Sequence, residues 1–286
     1  MTAIMKRIEA EIRKIDMNLY DFALMTESGC EELRIQPCNA CNNSYSVTKA
    51  FVATAAGLLW DRGLLDLDRP VPEFFPEYAP ADAKWNRVTL RHALTHTMGI
   101  GRGYLDIDVE DISDYGTLDF LEVVFREPLS HEPGAVYQYS DAAYYLASRI
   151  VESAAGEPAD CFLQRELLTP LKVQESAWSR CPMNHPIGAT GLYIRAKDMV
   201  KLGWLYANGG VFEGKQLLPE RWLREERQGE LSFRSCGNGD ARGKGGMYGQ
   251  MLMFSPEKKF AAAWHSLTTD RRAAHLPGLI EELLNA

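Results

Sequence analysis

The sequence contains no stretch that could cross a lipid bilayer as a helix. Its longest apolar run, residues 50–60, is interrupted by Thr54 and Gly57 and falls well short of the roughly 20 residues a spanning helix needs. It also lacks any basic run or any patch of Lys and Arg interleaved with aromatics. With 31 Lys+Arg against 39 Asp+Glu and a formal net charge of -8, the positive footprint that holds a phosphate backbone is missing, and nucleic acid is not an expected partner. Cysteine is sparse. The 6 thiols are Cys30, Cys38, Cys41, Cys161, Cys181 and Cys236, and only Cys38 and Cys41 stand in a Cys-x-x-Cys pair. No second pair or neighbouring histidine completes a zinc set, so no metal is expected and the thiols read as free in a reducing compartment. The N-terminus lacks the unbroken apolar core of an export signal, because Ile4, Ile8, Ile12 and Ile15 recur at helical spacing between charges. The cytoplasm is therefore the expected location. No Gly-x-Ser-x-Gly elbow occurs, which removes the usual α/β-hydrolase reading.

What is present is ordinary globular composition, 46% hydrophobic and 24% charged over 286 residues, enough to bury a sizeable core. After the first amphipathic helix, residues 20–26 and 32–36 read as two strands joined by a turn at Ser28-Gly29. Asn42, Asn43 and Ser44 mark the start of an Ala- and Leu-rich helix that ends at Gly63. Residues 66–182 read as Pro-punctuated helical segments and loops, with no alternating strand pattern. A helix is expected over 196–207, strands over 247–254 and 260–265, and a closing amphipathic helix over 276–284. Strands near both termini with helices between them imply one α/β sheet lobe built from residues 1–65 and 186–286, with a mostly helical lobe over 66–185. The stretch Gly209–Lys215 has the outline of a phosphate loop, but Gln216 replaces the required Ser/Thr and the segment follows a helix, so it reads as a hairpin turn.

Chemistry begins at Ser46-Val47-Thr48-Lys49. The i,i+3 spacing puts the hydroxyl and the amine on one helical face, and a serine hydroxyl needs such a neighbour to become a nucleophile. Downstream, His131-Glu132-Pro133-Gly134 forms a turn and Tyr139-Ser140-Asp141 opens a second helix. Further on, Lys244-Gly245-Gly246 precedes a strand-turn-strand ending. His92 and His96 stand at i,i+4, but no third ligand is evident. His265 reads as a tucked-in histidine.

Ser-x-x-Lys, then Tyr-x-Asp after a Pro-Gly turn, then Lys-Gly-Gly, in that order, resemble the three motifs of the class C β-lactamases and the serine esterases and D-amino-acid peptidases related to them. The connecting stretch Thr89-Leu90-Arg91-His92-Ala93-Leu94-Thr95-His96-Thr97-Met98-Gly99 is similar to that family's as well, as is residues 208–215. The resemblance implies an α/β (α+β), β-lactamase-like fold: an antiparallel sheet flanked by helices, plus the inserted helical lobe. It implies Ser46 as nucleophile, Lys49 and Tyr139 sharing the proton-accepting role, and Lys244 beside them as an anchor for a substrate's anionic end. The oxyanion would rest between the N–H groups of Ser46 and Met247, the latter on a strand, with Gly245 and Gly246 admitting substrate closely. Asp141 would take part in substrate recognition. No cofactor is implied. Two departures stand out: Asp141 replaces the usual Asn with a group that only accepts when ionised, and Gly245 removes a Thr or Ser hydroxyl that helps hold a β-lactam carboxylate. The expected activity is hydrolysis of a small-molecule ester or amide through an acyl-enzyme, most simply by a cytosolic esterase. A D-amino-acid peptidase, an amidase, a weak β-lactamase and a non-catalytic binding module remain alternatives, and the sequence carries no signal of oligomeric state.

Overall fold

Thr2 caps the first helix, α1 (Ala3–Ile15), by accepting the Met5 N–H, and the apolar stripe Met5, Ile8 and Ile12 is buried as i, i+3, i+4 spacing requires. The computed structural model describes residues 1–37 and 39–285, so the Cys38 half of the Cys-x-x-Cys pair lies outside the described residues. Next come β1 (Leu19–Thr26), β2 (Gly29–Arg34) and the two-residue β3 (Asn42–Asn43). The first buried helix is α2 (Thr48–Asp61), followed in the middle of the chain by α3 (Leu90–Leu94), α4 (Phe120–Arg126), α5 (Asp141–Ala155) and α6 (Ala159–Leu163). Then β4 (Ser176–Trp178) and β5 (Leu192–Ile194) lead into α7 (Ala196–Ala207). The hairpin β6 (Val211–Phe212) and β7 (Lys215–Gln216) occupies the segment that mimics a phosphate loop. It is followed by α8 (Glu220–Gly229), β8 (Arg234–Ser235), β9 (Arg242–Gly245), β10 (Met251–Ser255), β11 (Phe260–Ser266) and α9 (Leu276–Asn285).

The main sheet is antiparallel and six-stranded, in the order β2-β1-β11-β10-β9-β8. Its centre, β11, joins strands from the two ends of the chain, pairing Phe22 with Trp264 and Leu24 with Ala262. Period-two alternation gives each strand two buried faces. Phe260, Ala262 and Trp264 point to the side covered by α1 and α9, where Phe22 stacks on Trp264 at 5.8 Å between ring centroids. Ala261 and Ala263 face the other side, where α7 packs on β1, β10 and β11. Small side chains there let the helix lie close: a methyl at Gly203 would already press on Ala261 and Leu252.

Helix α2 runs beneath the cleft described below. Apolar on most of its circumference after Lys49, it is buried from Thr48 to Leu59 against α5, α6 and α8. Gly57 is required at one of these contacts, since any Cβ would overlap the Trp222 indole. Among the described residues no helix is long and apolar enough to cross a membrane.

Several boundaries differ from the sequence expectation: the second strand, expected over 32–36, runs over Gly29–Arg34. Asn42 and Asn43 do not cap a helix; they pair with Ile194 and Tyr193 of β5, and α2 starts only at Thr48. The segment 66–182, expected without strands, contains β4, three residues long and therefore too short to show alternation, paired with β5. The strand expected from 247 begins at Met251. Gly249 turns the chain at φ +86°, and the Gln250 side chain accepts the Tyr248 N–H at 3.0 Å, so residues 246–250 form a turn and Met247 is not on a strand.

Candidate active site

Ser46 lies in a single tight turn, Tyr45–Val47, between β3 and α2. This turn is fixed to β5 from both sides. The Ser44 N–H donates to the Leu192 carbonyl at 2.9 Å, and the Leu192 N–H donates to Thr48 Oγ1 at 3.1 Å. Tyr45, just before the nucleophile candidate, holds φ +47°, with its N–H received by Asn43 Oδ1 at 2.8 Å. One turn on, Lys49 is fully buried, and its ammonium uses all three donors: Ser46 Oγ at 3.0 Å, Asp141 Oδ1 at 2.7 Å and the Ala189 carbonyl at 2.7 Å. Burial works against that charge, but the Asp141 carboxylate and then Tyr139 outweigh it and hold the amine above the ordinary lysine value.

Tyr139 and Asp141 flank the residue that starts α5. Ser140 Oγ caps this helix by accepting the Ala142 N–H and is itself locked to Tyr104, accepting its N–H at 3.2 Å and donating to its carbonyl at 3.0 Å. The side chains on either side are thereby aimed into the cleft. Tyr139 Oη meets Ser46 Oγ at 2.6 Å. Two cations overlie the tyrosine ring, Lys49 Nζ at 4.9 Å and Lys244 Nζ at 5.3 Å from its centroid. Lys244 stands on β9, opposite Leu252 of β10. Burial, followed by the charges of Lys49 and Arg234, pushes its amine down to about 7.

These groups open onto one cleft of about 570 Å³. The structure brings Ser46, Tyr139, Asp141, Lys244, Gly245, Gly246 and Met247 to its walls, with Lys49 directly behind Ser46. Asp141 lines the cleft and in addition serves as the counter-ion of Lys49 through its Oδ1. Met247 reaches the cleft from the 246–250 turn. Among the described residues neither its N–H nor that of Ser46 donates to a protein acceptor, as two oxyanion donors require.

Sequence reasoning missed three charged residues of this cleft, Asp106, Asp108 and Arg234, besides the uncharged Ser235, Cys236, Gly243 and Met251. Carboxylate oxygens of Asp106, Asp108 and Asp141 lie within 4.8 Å of one another. Burial and the neighbouring acids raise the pKa of Asp106 and Asp108. An Asp-x-Asp in an irregular loop has no period, and Arg234 lies on a two-residue strand, so no local pattern marks any of the three. Elsewhere, His265 is buried and hydrogen-bonded to Asp21 at 2.9 Å.

The chain matches the β-lactamase family model over residues 42–284 and belongs to the β-lactamase family. Esterase EstB of Burkholderia gladioli is 36% identical over 143 residues, which are 46% of this chain and 36% of that protein. Penicillin-binding protein 4 of Amycolatopsis lactamdurans is 34% identical over 134 residues, 46% of this chain and 35% of that protein. The matched part thus spans about a third of these relatives' length. The solved structure of EstCE1, described as a hydrolase with promiscuous acyltransferase activity, superposes with a TM-score of 0.75 at 17% identity, covering 99% of this chain and 98% of that one. This likeness shows the fold: a β-lactamase-like antiparallel sheet with helices on both faces.

Proposed function

We propose that the protein is a serine hydrolase that acts on small esters through an acyl-enzyme on Ser46. The observation that carries this reading is the contact of Ser46 Oγ with both Tyr139 Oη at 2.6 Å and Lys49 Nζ at 3.0 Å, at the wall of an open cleft. Tyr139 enters the step as the phenolate, its own proton already released to solvent, and takes the Ser46 proton on Oη as the serine oxygen attacks the carbonyl. Lys49 is the fixed positive charge rather than a second acceptor, because all three of its protons are engaged and Asp141 keeps it ionised. The N–H groups of Ser46 and Met247 receive the oxyanion. Tyr139 returns the proton to the leaving alcohol, and water repeats the sequence to release the acid.

Asp141 and Gly245 favour an ester over a β-lactam or peptide. A carboxylate paired with Lys49 offers substrate no amide N–H, and Gly245 offers no hydroxyl for a substrate carboxylate. The resemblance to an esterase supports the same choice. Fluorophosphonate treatment read by intact mass is expected to give one adduct, lost in Ser46→Ala; a folded wild-type chain that takes up no label contradicts the reading. Turnover of p-nitrophenyl butyrate, with nitrocefin and D-alanyl amides poor by comparison, is the expected substrate pattern, and the reverse order would assign the site to amides.

Lys244 makes the site pH-sensitive toward anionic substrates. Its amine is charged below about 7 and neutral above, so an attraction to a substrate carboxylate is present at pH 6 and lost as pH rises through 7. For p-nitrophenyl hemisuccinate, KM is expected to rise about tenfold between pH 6 and 8, the worth of one charge-assisted hydrogen bond, while KM for the neutral butyrate stays flat. Lys244→Met should abolish the difference; equal pH profiles for both esters in wild type would remove the anchor role.

A further inference from the structure

His96 is built into the site in a way that packing alone does not explain. It follows α3 in the left-handed region, φ +58°, a conformation uncommon for a residue with a side chain. It is buried, and among the described residues its Nε2 has no hydrogen-bond partner, a cost a leucine or phenylalanine there would not carry. In return it grips three consecutive residues. The Gln138 N–H donates to the His96 carbonyl at 2.8 Å, the Ser140 N–H donates to His96 Nδ1 at 3.4 Å, and the Tyr139 ring between them lies on the imidazole at 4.4 Å between centroids and 31° between planes. The imidazole also packs against Tyr144 at 5.2 Å between centroids. Burial, then the charges of Lys244 and Lys49, hold the imidazole far below its usual pKa. A neutral ring that accepts on Nδ1 carries its proton on Nε2, so it adds no third cation beside the phenol.

We propose that His96 is a positioning residue for Tyr139: its ring is the surface against which the phenol is held within hydrogen-bond reach of Ser46. The inference rests on the serine-hydrolase reading and assigns His96 no contact with substrate. Removal of the face lets the Tyr139 ring tilt, lengthening a 2.6 Å contact on which proton transfer depends.

Three variants test this. His96→Ala and His96→Asn both lose the ring, and asparagine tolerates the left-handed backbone and keeps an acceptor for the Ser140 N–H. Both are expected to lower kcat for p-nitrophenyl butyrate about 10- to 100-fold, the scale of a displacement near 1 Å, with KM within about twofold. The rate of Ser46 labelling by fluorophosphonate should fall in parallel. His96→Phe restores a flat face and should recover most of kcat. A His96→Asn protein of native thermal midpoint with wild-type kcat overturns the proposal, as does a loss expressed in KM, or a folded His96→Phe no better than His96→Ala. A wild-type chain that neither labels nor turns over overturns the hydrolase reading itself, and this one with it.

Discussion

Alanine at Ser46 is expected to reduce turnover of p-nitrophenyl butyrate to background, and Lys49→Ala or Tyr139→Phe to cost nearly as much, on the order of 10⁴-fold in kcat for each. The three belong to one hydrogen-bonded unit: the Lys49 ammonium donates to Ser46 Oγ, and Ser46 Oγ shares a 2.6 Å contact with Tyr139. Removing one member leaves the others nothing to act through, so the losses should not add. Ser46→Ala combined with Tyr139→Phe should be no slower than Ser46→Ala alone. Tyr139→Phe is the informative single change, because it deletes one oxygen and keeps the ring that packs on His96. Near-UV circular dichroism checks that it folds. A loss below about tenfold would move the proton-accepting role away from Tyr139.

The elements legible in the sequence are those whose burial follows a period. Helix α7 falls on residues 196–207 as expected, because the two positions that escape burial, Lys197 and Lys201, stand one turn apart and mark the helical period. The central strands were visible at 20–26 and 260–265 for the same reason, since both their faces alternate between two cores. What escaped is what geometry assembles without periodicity. The turn carrying Ser46 is positioned by β3 and β5, two elements of only a few residues, and the sequence of Asn42, Asn43 and Ser44 reads equally well as a helix start. Motif order placed Ser46, Lys49, Tyr139 and Lys244 together before any coordinates did, but it says nothing of partners. That the residue at 141 would pair with Lys49 while still lining the cleft depends on where α5 sits against α2, a packing contact between helices about 90 residues apart in the chain.

This packing contact sets the second large effect. Lys49 and Asp141 form an ion pair with side-chain exposures of 0% and 6%, and taking away one partner of such a pair strands the other charge. Asp141→Ala is expected to cost about 3–5 kcal/mol of stability at pH 7, read as a lower urea midpoint. Asp141→Asn keeps an acceptor for the ammonium and should lose less. The sign with pH follows from Lys49. In wild type its amine is held above the ordinary value of 10.5, so its stabilising contribution is complete below that value and fades only as pH climbs through the higher folded one. Without the carboxylate, burial dominates and the folded value drops below the unfolded one, so the penalty is full at pH 7 and shrinks as pH rises toward 10.5. The gap between wild type and Asp141→Ala should therefore narrow from pH 7 to pH 10, whereas a lost packing contact would leave it constant. Catalysis should move the other way. A Lys49 amine released from its counter-ion sheds its proton at lower pH than in wild type, because burial then dominates, and Tyr139 faces a neutral neighbour instead of a fixed cation. The kcat of Asp141→Asn should accordingly fall with rising pH where wild type does not, and a variant with the wild-type pH profile and urea midpoint would show that the charge on Asp141 serves neither the fold nor the proton transfer.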